Sequence, residues 1–145
     1  MMKGGPVKMS EVAKRRVTAQ AGLDWQPTEE QEQAAVFEWA QIMAYQMPEL
    51  RLLHHIPNGG FRPVATGAKL KAAGVKAGVP DLCLPVARSG YHGLYIELKR
   101  KKNGRVSDAQ SSWIDELRHQ GYRAEVCHGA DEACDVLTAY LTEAV

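Results

Sequence analysis

The sequence predicts an α/β fold in which helices flank a small mixed sheet. Three observations predict it. Thr28-x-x-Gln31 and Ser107-x-x-Gln110 have the form of capping boxes, and each opens a run with helically spaced apolar residues. Short apolar runs at 82–86, 94–99 and 122–127 are bounded by Gly, Ser and Pro and read as strands. Helices and strands are interleaved along the chain, which favours one layered domain around one sheet.

The elements follow in order. Residues 1–26 read as a polar, basic arm with a short helix around Ser10 to Ala21, and 27–145 as the folded domain. The Thr28 box starts a helix expected to run to about Met47, where Pro48 stops it. Val36, Ala40, Met43 and Met47 form its apolar stripe, flanked by Phe37 and Trp39. Arg51 to Ile56 reads as a short strand ended by the turn Pro57-Asn58-Gly59-Gly60. A small helix is expected over Thr66 to Ala73, with Gly74 as its stop. Leu82 to Val86 and Leu94 to Lys99 form the central strands, joined by a turn near Ser89-Gly90. The Ser107 box starts a helix that ends at Gly121, followed by a strand from Tyr122 to Cys127 and an amphipathic helix from Asp131 to Leu141. Trp39, Phe37, Trp113 and Leu117 belong to the core; Trp25, Phe61 and Tyr91 are the aromatics expected at the surface.

At 145 residues the chain is sized for one domain, and 45% apolar content is ordinary for a globular protein. No apolar run is long enough to span a membrane, and the first residues lack the apolar centre of a signal peptide. Cys83, Cys127 and Cys134 form no Cys-x-x-Cys pair. They fit reduced, buried thiols in a cytoplasmic protein better than disulfides or a zinc site. His54 and His55 are adjacent on an expected strand and so point to opposite faces, which keeps the pair from converging on one ion.

Charge is nearly balanced overall, at 18 basic against 17 acidic residues, but it is unevenly distributed. From Leu50 to Ser107 there are eleven Lys and Arg and only two acids, Asp81 and Glu97; beyond Ser107 there are eight acids against two basic residues. A basic middle segment suits a polyanionic partner such as nucleic acid. Lys69, Lys71, Lys76, Arg100, Lys101, Lys102 and Arg105 are the candidate phosphate contacts, although any one of them alone reads as ordinary solvated surface.

The two acids carry the chemistry. Side chains alternate along a strand, so Leu94, Ile96 and Leu98 share one face while Tyr95, Glu97 and Lys99 share the other. Asp81 enters from the neighbouring strand. Two carboxylates in proximity repel unless a cation lies between them, and a hard divalent ion takes oxygen ligands of this kind. Lys99 is then placed to offset charge at a phosphate. The pattern points to a metal-dependent phosphodiesterase. No Gly-x-Gly-x-x-Gly or Walker-type loop supports a nucleotide-metabolite site instead.

Ile56-Pro57-Asn58-Gly59-Gly60, Gly78-Val79-Pro80-Asp81-Leu82, Ile96-Glu97-Leu98-Lys99, Ser107-x-x-Gln110-x-x-Trp113 and Gly121-Tyr122, preceded by Glu29, Gln33 and Trp39, form an ordered series that resembles the VRR-NUC nucleases of the PD-(D/E)XK superfamily. The resemblance spans about Thr28 to Leu141 and implies a restriction-endonuclease-like core. It also implies DNA cleavage with Mg2+ or Mn2+, a homodimer, and action on branched DNA such as four-way junctions. The ligands it implies are Asp81, Glu97, the Leu98 carbonyl and, from the first helix, Glu29 in preference to Glu32. Gln110 is implied at the active site as a catalytic residue, and Asn58, in a loop that borders it, as a contact to DNA. A degenerate nuclease fold that binds DNA without cutting is the alternative; the presence of every required side chain argues against it.

Overall fold

The structure is a computed structural model that describes residues 25–58 and 63–143. Residues 1–24 of the N-terminal arm with its expected short helix, the glycines of the 57–60 turn, and Phe61 lie outside the described residues. Helix α1 spans Glu29–Met43, β1 His54–His55, α2 Val64–Ala72, β2 Leu82–Leu84, β3 Leu94–Lys99, α3 Asp108–His119, β4 Arg123–His128 and α4 Ala130–Thr142. The strands form one sheet in the order β1-β2-β3-β4. The β1–β2 and β2–β3 pairs are antiparallel and β3–β4 is parallel, with α3 supplying the crossover that a parallel pair requires.

Both capping boxes form. Thr28 and Ser107 each accept from the backbone N–H three residues on, and Gln31 and Gln110 each return a bond to the cap's own N–H. Several boundaries differ from expectation: β2 ends at Leu84 rather than Val86, and α2 starts at Val64 rather than Thr66. Helix α1 ends at Met43, and Pro48 opens a 3-10 turn over Pro48–Leu52 rather than stopping the helix. Proline suits a helix start because it lacks only an N–H that would be unpaired there. Met47 is buried all the same, carried inward by the turn after the helix. The expected strand over 51–56 contracts to His54–His55, because Arg51 and Leu52 belong to the 3-10 turn.

The sheet has two dissimilar faces. On one, Leu82, Leu84, Leu94, Ile96 and Leu98 pack against Val36, Trp39 and Met43 of α1 and Ala133, Leu137 and Tyr140 of α4. On the other, Tyr95, Tyr122, Ala124 and Val126 meet Trp113, Ile114 and Leu117 of α3. Two buried polar bonds tie the first layer together: Ala130 N–H donates to Glu32 Oε2 at 2.7 Å, and the Tyr140 hydroxyl donates to the Val86 carbonyl at 2.6 Å. None of the residues of α2 is buried, so that helix lies outside the packed core. Among the described residues no helix is long and apolar enough to cross a membrane.

Candidate active site

Strand β3 places Glu97 and Lys99 on the face covered by α3, and both side chains are buried, at 2% and 6% exposure. Lys99 Nζ lies 3.3 Å from Glu97 Oε1. The same oxygen accepts from Gln110 Nε2 at 2.6 Å. Gln110 therefore closes its helix cap and reaches the strand at once, which fixes the Glu97 carboxylate from above. Gly104 permits the burial of Lys99: a Cβ there would stand 2.8 Å from the Lys99 Cβ.

Asp81 arrives by register. Leu82 pairs with Ile96, and continuing the antiparallel ladder by one residue sets Asp81 opposite Glu97 on the same face. Its Oδ2 accepts from the Leu98 N–H at 2.8 Å. In a strand the N–H and C=O of one residue point to the same edge, so the Leu98 carbonyl also faces the Asp81 side. The loop before Asp81 is held against α3 by Gly78, which has φ +91° and whose Cβ would meet the Ala109 carbonyl group at 2.6 Å. No L side chain fits there.

Burial is the main cause that pushes the Glu97 carboxyl up to about 8, the nearby Asp81 carboxylate adds to it, and Lys99 opposes both. Glu97 Oε2 is buried with no hydrogen-bond partner among the described residues. An orphaned carboxylate oxygen facing a second carboxylate is costly unless a cation completes it. The donors fit a hard ion: two carboxylates and a main-chain carbonyl are the usual protein share of a magnesium site, with water and substrate phosphate supplying the rest. Among the described residues no three or more His, Cys, Asp or Glu side chains group as a metal site, so Glu29 does not join Asp81 and Glu97 in one.

Asp81 and Leu98 open onto a cleft of about 440 Å³ lined also by Glu29, Glu30 and Gln33 of α1 and by His55, Pro57 and Asn58. Glu29 thus faces the same space as Asp81, whereas Glu32 turns inward to the α4 N-terminus. An adjoining hollow of about 600 Å³ shares Asn58 and is lined by Gly67, Leu70, Lys71, Val75, Lys76 and Ala77. Of the expected phosphate contacts, Lys69, Lys71, Lys76, Arg100, Lys101, Lys102 and Arg105 are all exposed, but only Lys71 and Lys76 line this hollow. Lys101 instead pairs with Asp131 at 3.7 Å. The histidines do not converge, yet His55 reaches the cleft, a placement that strand alternation alone could not reveal. The three cysteines form no disulfide and are buried, and burial raises each thiol, which leaves them core residues rather than nucleophiles.

The VRR-NUC domain model matches residues 24–131. The chain belongs to the VRR-NUC family. A solved structure described as a VRR_NUC domain protein is 36% identical, covers 80% of this chain and 89% of its own, and superposes with a TM-score of 0.69. No match is found among curated proteins. Membership makes this a nuclease-type domain with DNA as its partner, and the mixed sheet between helical layers is the fold shared with that relative. In this VRR-NUC chain Asp81, Glu97 and Lys99, on which the resemblance in the sequence rests, come together where the entry to β2 lies beside β3.

Proposed function

We propose that the chain is a metal-dependent endonuclease that hydrolyses phosphodiester bonds in branched DNA, using Mg2+ or Mn2+. The reading rests on one observation above the rest: Glu97 is buried opposite Asp81 with one oxygen unpartnered, and Lys99 is its neighbour. Asp81, Glu97 and the Leu98 carbonyl would hold the ion, with Glu29 approaching from α1. Such an ion polarises phosphoryl oxygens and raises the acidity of nearby water. Lys99 offsets negative charge as water adds to phosphorus and the P–O bond breaks. Gln110 keeps the Glu97 carboxylate aimed while this happens. Lys71 and Lys76 supply sequence-independent phosphate contacts beside the cleft, with Lys69, Arg100, Lys102 and Arg105 extending the positive surface.

A homodimer belongs to the same reading. Ile42 and Tyr45 near the end of α1, together with Leu52, are 64%, 94% and 54% exposed and offer apolar surface for it. Sedimentation of the purified chain tests this. The activity is tested by incubating single-stranded, duplex, flap and four-way-junction DNA with the protein across a metal series. Cleavage that needs Mg2+ or Mn2+, prefers the branched forms and disappears in Glu97→Ala is expected. Equal cleavage by Glu97→Ala would reject the site, and binding without cleavage in every metal would make the domain a DNA-binding module.

A further inference from the structure

We propose that His55 is a positioning residue for Asp81, acting through the Asp81 peptide group with Asn58 as its partner in the same loop. The proposal rests on Asp81 as a metal ligand. Asp81 stands at the entry of a three-residue strand whose outer neighbour, β1, has only two residues, so the ladder itself holds it weakly. Its carbonyl compensates by accepting twice: from the Ile56 N–H at 2.8 Å and from His55 Nδ1 at 2.8 Å. A carbonyl can only accept, so Nδ1 carries the hydrogen and the tautomer is set by that bond. Two residues before Asp81, the Val79 carbonyl accepts from Asn58 Nδ2 at 2.6 Å.

The segment from His55 to Asn58 therefore grips the loop from the cleft side by three bonds, while Gly78 seats it on α3 from the other. With the peptide fixed, the Asp81 carboxylate can span to the Leu98 N–H and face Glu97. Groups that orient a ligand from behind typically matter to metal affinity by about 10–100-fold. His55 is exposed and its ring contributes little to the core, so its replacement perturbs the loop rather than the fold.

Mn2+ binding by the full chain without DNA, followed by the loss of the free-ion paramagnetic resonance signal, separates this role from others. His55→Ala should weaken Mn2+ binding by about tenfold. His55→Asn should stay within about threefold of the parent, because the asparagine amide nitrogen falls where Nδ1 does and can donate to the same carbonyl. DNA binding in chelator should be unchanged in both, which a direct phosphate contact would not allow. Loss of binding in His55→Asn equal to that in His55→Ala would overturn the proposal, since the distal ring nitrogen would then be the working atom. Unaltered Mn2+ affinity in His55→Ala would overturn it alone, whereas a parent chain that binds no Mn2+ would remove the metal reading along with it.

Discussion

The two faces of strand β3 are both largely buried but chemically opposed. Leu94, Ile96 and Leu98 are at most 1% exposed and sit in a core of aliphatic and aromatic side chains. Glu97 and Lys99, on the reverse, are almost as buried and form an ion pair whose carboxylate keeps one oxygen unpartnered. Burying the first face stabilises the domain directly. Burying the second costs desolvation that one lysine and one glutamine offset only in part. The fold thus supplies stability on one side of a strand and holds an electrostatic deficit on the other, which the proposed ion would relieve.

Single substitutions on each face of β3 should separate activity from stability. Glu97→Gln should lower DNA cleavage by more than about 100-fold, the scale seen when one preorganised electrostatic group is lost. Its melting temperature should match or exceed that of the parent, because a neutral amide replaces a buried carboxyl whose ionisation beside Asp81 is costly. Ile96→Ala, one residue away, should cost about 2–5 kcal/mol of stability in denaturant unfolding. At temperatures where that variant stays folded, it should retain cleavage. If both variants lost stability alike and activity alike, the two faces would not be separable in function.

Filling the deficit sharpens the contrast on a smaller scale. Mg2+ or Mn2+ at about 100 times its dissociation constant should stabilise the parent by about 2.7 kcal/mol and leave Glu97→Gln nearly unmoved. Thermal melting with and without ion reads this; an equal shift in both proteins would place the ion elsewhere.

The smallest effect is on pH dependence without metal. The folded chain holds the Glu97 proton up to about 8, against an ordinary value of 4.5 that the unfolded chain keeps. Its contribution to stability is therefore fully present below about 4.5 and is lost as pH rises through about 8. Melting in chelator should show that decline between these limits in the parent and a shallower one in Glu97→Gln. Parallel profiles for the two would mean that Glu97 is ionised throughout.

Much of the fold was legible in the sequence because its signals are local. A Thr or Ser three residues before Gln closes its own cap, and alternation along 94–99 assigns each side chain a face whatever the strand pairs with. The grouping of Glu97 with Lys99 needed nothing more. The end of α1 departs from the expectation set by Pro48, because that proline begins the next turn instead of ending the helix.

Tertiary contacts decided the rest. Glu29 and Glu32 are both acids in the first turn of one helix, and only the arrival of the α4 N-terminus, through Ala130, takes Glu32 inward and leaves Glu29 to the cleft. His55 gained a place at the site through a bond to a residue 26 positions away, and Asp81 found the Leu98 N–H only once β2 lay beside β3. Local sequence sets the direction in which a side chain leaves its own element. What it meets there depends on chain segments distant in sequence, and those partners exist only after the sheet and its two helical layers have closed around it.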